Sequence, residues 1–293
     1  MQKFIAALLL AGTSSALKMS KMELQKYNSL VQVGSEYANQ CHGAIDRIKN
    51  EPAAGYTEGT KFTDESFPTD EAFGWSAYNS AESVYALNSS KYWFRISDAT
   101  GLTLKGNDDQ FSVNDIRQGM LGDCYFLAAL SSIAENNEDV AGIFDQTELN
   151  ADGMYTVWAW PKGVPQQIRL DDYMPSNSAT SFRPTFSKNS EDGSVWVPIL
   201  EKYWAKLNGN YAQIEGGWVS EGVQQLMGSP GFFSNLSGKT TQELYNQIST
   251  YDKERTYMSA GSKSDTCGQL GIVGGHAYSI HGAYWINDTN GQK

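Results

Sequence analysis

The chain has 293 residues, 40% of them hydrophobic and 12% aromatic, which is ample for a buried core in one or two domains. Its formal net charge is -11 and its pI is near 4.8, so no basic stripe exists to neutralise phosphates and a nucleic-acid partner is excluded. No stretch is apolar for long enough to span a bilayer, and acidity alone identifies no substrate.

The first residues read as a secretory signal over 1–16: Lys3 supplies a positive start, Phe4 to Gly12 an apolar run, and Ser14, Ser15 and Ala16 a small-residue cleavage site. That predicts a secreted or endomembrane-lumenal product, whereas initiation at Met19 or Met22 gives a cytoplasmic one. In a secreted product Asn88, Asn235 and Asn287 are glycosylation acceptors and Cys41 and Cys267 permit one bridge, although three cysteines are no disulfide framework. Residues 17–60 mix charge with short apolar spacing, as in Met22 to Tyr27, and predict a helical extension that is either a propeptide or a packing helix.

Residues 61–230 predict a helix-rich subdomain. Within it, Gln118-Gly-Met-Leu-Gly-Asp-Cys124 leads into an apolar run in which Leu127, Leu130 and Ile133 recur at helical spacing. Cys124 is thereby placed in the first helical turn, where unpaired backbone N–H groups and the helix dipole favour a thiolate. Gln118, six residues upstream, can aim its amide at the oxygen of a carbonyl under attack. Met154 to Trp160 and Gln167 to Leu170 alternate like the two arms of a hairpin.

Residues 231–293 predict the start of a β-rich subdomain: a helix near Thr240 to Tyr251, then a strand through Gly271-Ile-Val-Gly-Gly-His276-Ala-Tyr-Ser-Ile280. On a regular strand His281 points to the face opposite His276, so only one of the two can meet the cysteine. His42 directly follows Cys41 and reads as incidental.

The segment around Cys124 resembles the nucleophile segment of the calpain family of cysteine endopeptidases, with Tyr125 where that family usually has tryptophan. Lys61 to Pro68, Leu200 to Tyr211, Gly216-Gly217 with Ser220-Glu-Gly222, and the His276 block are similar to calpain core sequence in the same order, so the resemblance spans about residues 61 to 286. It implies an α+β, papain-like protease core with a cleft between a helix-rich and a partial, truncated β-rich subdomain. The implied activity is peptide-bond hydrolysis by a Cys124–His276 pair with Gln118 as oxyanion donor. It further implies calcium dependence, with Asp115 and Glu201 as side-chain ligands beside backbone carbonyls near Asp108 and Gln110. The family's triad asparagine sits in an Asn-Pro-Trp segment past the histidine, and here Asn287 and Asn290 follow His276 without it. The alternative is therefore a truncated, catalytically impaired protein that uses the same cleft as a binding module.

Overall fold

The computed structural model describes residues 56–286 except 58, 71, 74–91, 235 and 264–270. In chain order the elements used below are β1 (Tyr92–Arg95), α1 (Cys124–Ile133), α2 (Asn137–Ala141), β2 (Met154–Ala159), β3 (Gln166–Asp171), β4 (Tyr173–Ser176), α3 (Trp196–Asn208), α4 (Val219–Met227), α5 (Thr241–Lys253), β5 (Met258–Gly261) and β6 (Ala277–Ile280). Helices and strands are both substantial, giving an α+β chain. The strands pair antiparallel as β1 with β4, β2 with β3 and β5 with β6.

The expected hairpin forms with Tyr155 opposite Leu170 and Val157 opposite Ile168. Tyr155, Val157, Ala159 and Leu170 point into the core, the alternation expected of a sheet with one covered face.

The core centres on α1, in which every residue except Cys124 and Ser131 is buried. Phe126 stacks on Trp204 of α3 with ring centroids 4.8 Å apart. The Trp204 indole N–H donates to the Tyr125 hydroxyl at 2.8 Å, so tyrosine at this position brings an acceptor into the core. On the other side α4 presses its backbone against α1: a Cβ at Gly222 would lie 2.8 Å from Ala129 Cβ. Burying Phe126, Leu127, Leu130 and Ile133 contributes about 1.5–3 kcal/mol each.

Helix α3 also carries charge inward. Buried Lys202 pairs with Asp171 and donates to the Tyr173 carbonyl at 2.8 Å. Lys206 reaches Asp64 at 2.6 Å, and Arg95 reaches Asp172 at 2.7 Å. These pairs tie β1, β3 and β4 to α3 and to the segment around Asp64. Removing one partner strands a buried charge, which typically costs about 3–5 kcal/mol.

Past α4 the packing thins: among the described residues beyond Gly228 only Met258 counts as a buried hydrophobe. The predicted helix near Thr240 is α5, started by a capping box between Thr240 and Glu243. The strand expected through the His276 block is shorter than its apolar alternation suggested. Residues 271–276 are turn and irregular chain, and β6 begins only at Ala277. Gly271 and Gly275 take left-handed φ values of 76° and 64°, and two such residues break the period of a strand.

No helix among the described residues is long and apolar enough to cross a membrane. The signal segment, the extension up to residue 55, Cys41, His42, Cys267, Asn88, Asn235, Asn287 and Asn290 lie outside the described residues.

Candidate active site

Cys124 is the first residue of α1, with Asp123 as N-cap. The approach to that helix is tightly enclosed. A Cβ at Gly119 would lie 1.5 Å from the Phe186 carbonyl oxygen, so the chain passes Thr185–Phe186 only because residue 119 has no side chain. The Gly216 N–H donates to the Gly122 carbonyl at 2.9 Å, which lays the Gly216–Gly217 loop beside the nucleophile segment. Cys124 itself is partly exposed and free of any disulfide. A thiol at a helix N-terminus that solvent can reach meets both requirements of a nucleophile.

Gln118 is near the cysteine in the chain, and its amide Nε2 donates to the Leu121 carbonyl at 2.8 Å. A primary amide has two N–H donors, so this bond, which steadies the side chain, uses one of them.

His276 stands immediately before β6. Its backbone N–H donates to Ser262 Oγ at 3.1 Å, and its carbonyl accepts from the Ser262 N–H at 2.9 Å. Its ring packs edge-on against Tyr278 with centroids 5.0 Å apart. The Tyr278 hydroxyl in turn accepts from the Val273 N–H at 2.8 Å. No local pattern marks Ser262, whose contacts with His276 depend on β5 pairing with β6. The two histidines have different neighbours: His276 packs edge-on against Tyr278, whereas His281 bonds to Ser279 and to Ser131 of α1. What joins the cysteine and histidine segments is the packing of α1 against β5 and β6.

The residue beside the nucleophile is electrostatically unusual. Asp123 is fully buried and its side chain does not cap the helix; neither carboxylate oxygen has an N–H donor. It faces Glu201 instead, whose two oxygens accept from the Ser187 N–H at 2.8 and 3.0 Å. Two ionised carboxylates can only accept, so the contact becomes a hydrogen bond when one proton is shared. Burial, together with the neighbouring Asp123, holds Glu201 well above the ordinary carboxylate range, and burial pushes Asp123 up to about 7.

The folded pair therefore keeps a proton that the unfolded chain releases near pH 4. A raised folded pKa stabilises the fold at low pH, and Asp123's part of that contribution is lost as pH rises through about 7. Glu201→Gln, which keeps a donor for Asp123 without titrating, is expected to flatten the fall in melting temperature between pH 5 and pH 8. Parallel melting curves for the two proteins would refute the shared proton.

Asp115 and Glu201, paired by the resemblance as calcium ligands, are each engaged by protein donors. Asp115 Oδ2 accepts from the Ser112 N–H at 3.1 Å, from Ser194 Oγ at 3.3 Å and from the Trp196 indole at 2.8 Å. Burial raises its pKa, and the carboxylate whose charge reaches it is Asp192. Glu201 is 2% exposed rather than a surface charge and is engaged with Ser187 and Asp123. Gln110 and Asp108 lie in a tight turn closed by the Gly106 N–H to the Gln110 carbonyl at 3.1 Å. Among the described residues no three His, Cys, Asp or Glu side chains gather in one place.

Residues 62–293 match the calpain family cysteine protease domain. The chain is 31% identical over 273 residues to the calpain-type cysteine protease ADL1 of Oryza sativa subsp. japonica, across 88% of this chain and 12% of that protein. It is 32% identical over 247 residues to the calpain-type cysteine protease DEK1 of Zea mays, across 79% of this chain and 11% of that one. With the calpain-2 catalytic subunit of Gallus gallus it shares 29% over 182 residues, 59% of this chain and 25% of that protein. It thus spans between 11% and 25% of the length of these relatives. A match over that much of the chain, around a cysteine held at the start of a buried helix, places it in the calpain family of cysteine proteases.

Proposed function

We propose that the chain is the catalytic core of a cysteine endopeptidase, with the active site in a cleft between the α1 side and the β5–β6 side. The position of Cys124 carries this reading: in a helix otherwise buried but for Ser131, the thiol at the N-terminus is left accessible. In the first step Cys124 Sγ attacks the peptide carbonyl carbon while the second Gln118 N–H donates to the developing oxyanion. Collapse of that intermediate breaks the C–N bond, and His276 passes the thiol proton to the leaving amine. Water, deprotonated by His276, then hydrolyses the thioester and regenerates the thiol.

Calcium dependence belongs to the proposal through the family resemblance. Asp115 and Glu201 are its candidate side chains, and no step above is routed through the ion. The test is cleavage of a denatured protein by the full chain, assayed with calcium and with excess chelator, with mass spectrometry of the enzyme after a peptidyl electrophile. An adduct on Cys124 and turnover supports the protease. A tenfold or larger loss with chelator, reproduced by Asp115→Ala, supports the calcium part; equal rates in both buffers would remove it. A folded protein that binds peptide but forms no adduct would leave a binding module.

A further inference from the structure

In α1 the two residues that are not buried are Cys124 and Ser131. They are seven positions apart, which on a helix of 3.6 residues per turn sets them on nearly one stripe about 10 Å from each other. Ser131 meets the second half of the chain in a polar cluster. Its hydroxyl lies 2.8 Å from Ser279 Oγ and 3.1 Å from His281 Nε2. Ser279 Oγ and His281 Nε2 are themselves 2.8 Å apart. On the far side of the imidazole, Nδ1 stands 3.7 Å from Glu135 Oε2, just beyond the end of α1.

Hydroxyls both donate and accept and rotate freely, so in either tautomer of His281 the Nε2 atom can bond one hydroxyl while the two hydroxyls bond each other. The three groups come from the nucleophile helix and from the strand that directly follows His276. A second polar link runs parallel to the first: buried Ser132 Oγ donates to the Met258 carbonyl of β5 at 2.7 Å. Elsewhere the described residues of this half pack lightly, with Met258 as their buried hydrophobe. Where apolar burial is sparse, directional hydrogen bonds decide the alignment of two packed elements.

We propose that His281 is a positioning residue: with Ser131 and Ser279 it clasps β6 to α1 and so sets the reach of His276 to Cys124. This rests on the protease reading above. The hydroxyl–imidazole contacts resemble those of a serine nucleophile with its base. Ser131 and Ser279 nevertheless satisfy each other, and the Glu135 carboxylate is beyond hydrogen-bond distance of the ring, so the cluster serves to hold the elements together.

The experiment is steady-state peptide cleavage by the full chain carrying His281→Ala, His281→Gln, Ser131→Ala, or Ser131→Ala with His281→Ala. His281→Ala is expected to lower kcat about tenfold with KM within about twofold, because the loss falls on alignment rather than on substrate contact. His281→Gln, whose amide can again reach the hydroxyls, is expected to recover kcat to within about threefold of the parent. The double variant is expected to be no worse than the worse single one, since both remove the same contact. An unchanged kcat in His281→Ala, no recovery with His281→Gln, or multiplying losses would overturn the clasp.

If the parent shows no cleavage that depends on Cys124, the protease reading fails by itself, and amide hydrogen exchange then judges the clasp. Faster exchange over residues 128–133 and 277–280 in His281→Ala upholds it as a link between the two elements. Identical exchange overturns it.

Discussion

Cys124→Ala is expected to abolish peptide-bond cleavage, by about three orders of magnitude or more, while leaving the fold intact. The side chain is partly exposed and makes no disulfide, so its truncation removes little packing. Chemistry has no substitute, because no other group at the start of α1 can form the acyl intermediate. Nucleophile and base act as a unit in such sites, and losing either costs nearly as much as losing both. His276→Ala should therefore fall to a similar floor, and the double variant no lower. The measurement is kcat/KM for each protein beside its thermal melt. Residual cleavage in Cys124→Ala within tenfold of the parent would take the cysteine out of the mechanism.

Gly119→Ala is expected to be the most damaging single methyl group near the site. The added carbon would fall 1.5 Å from Phe186 O, 2.5 Å from Phe186 C and 2.6 Å from Thr185 O. These are backbone atoms, and they cannot swing aside as a side chain can. Phe186 is itself fully buried and packs against Phe73 and Tyr211, while the next residue, Ser187, donates to Glu201. Relieving the overlap must therefore move either the approach to Cys124 or the segment behind the Asp123–Glu201 pair. A loss of ~3 kcal/mol or more is expected, at the upper end for overpacking. Urea denaturation of the purified variant gives the value. A change below about 1 kcal/mol would mean that the two segments are not held in contact.

The elements were read from residue order with uneven success, for physical reasons. Helix α1 was legible because its buried residues recur at helical spacing behind two glycines, and it is buried nearly all round. The β2–β3 hairpin was legible because its alternation matches a sheet with one covered face. The His276 strand was misjudged at its start, since apolar residues at Ile272 and Val273 read as strand although Gly271 and Gly275 turn the chain. Glu201 escaped a local reading altogether. Its sequence context is an amphipathic helix in which a glutamate is ordinarily solvated, and only the fold turns it toward Asp123.

Amino-acid order alone thus determined the chemistry on offer: a cysteine at a helix N-terminus, an amide six residues before it, a histidine beside glycines, and the calpain family to which these belong. Local spacing suffices for this, because helix starts and turn glycines are set by neighbours in the chain. The tertiary structure decided which groups meet. It turned Asp123 onto Glu201, set Asp115 against Ser194 and Trp196, and brought Ser131 to Ser279 and His281 across 148 and 150 residues of chain. Such contacts depend on how α1 packs against α3 and β6, and no local periodicity encodes that packing.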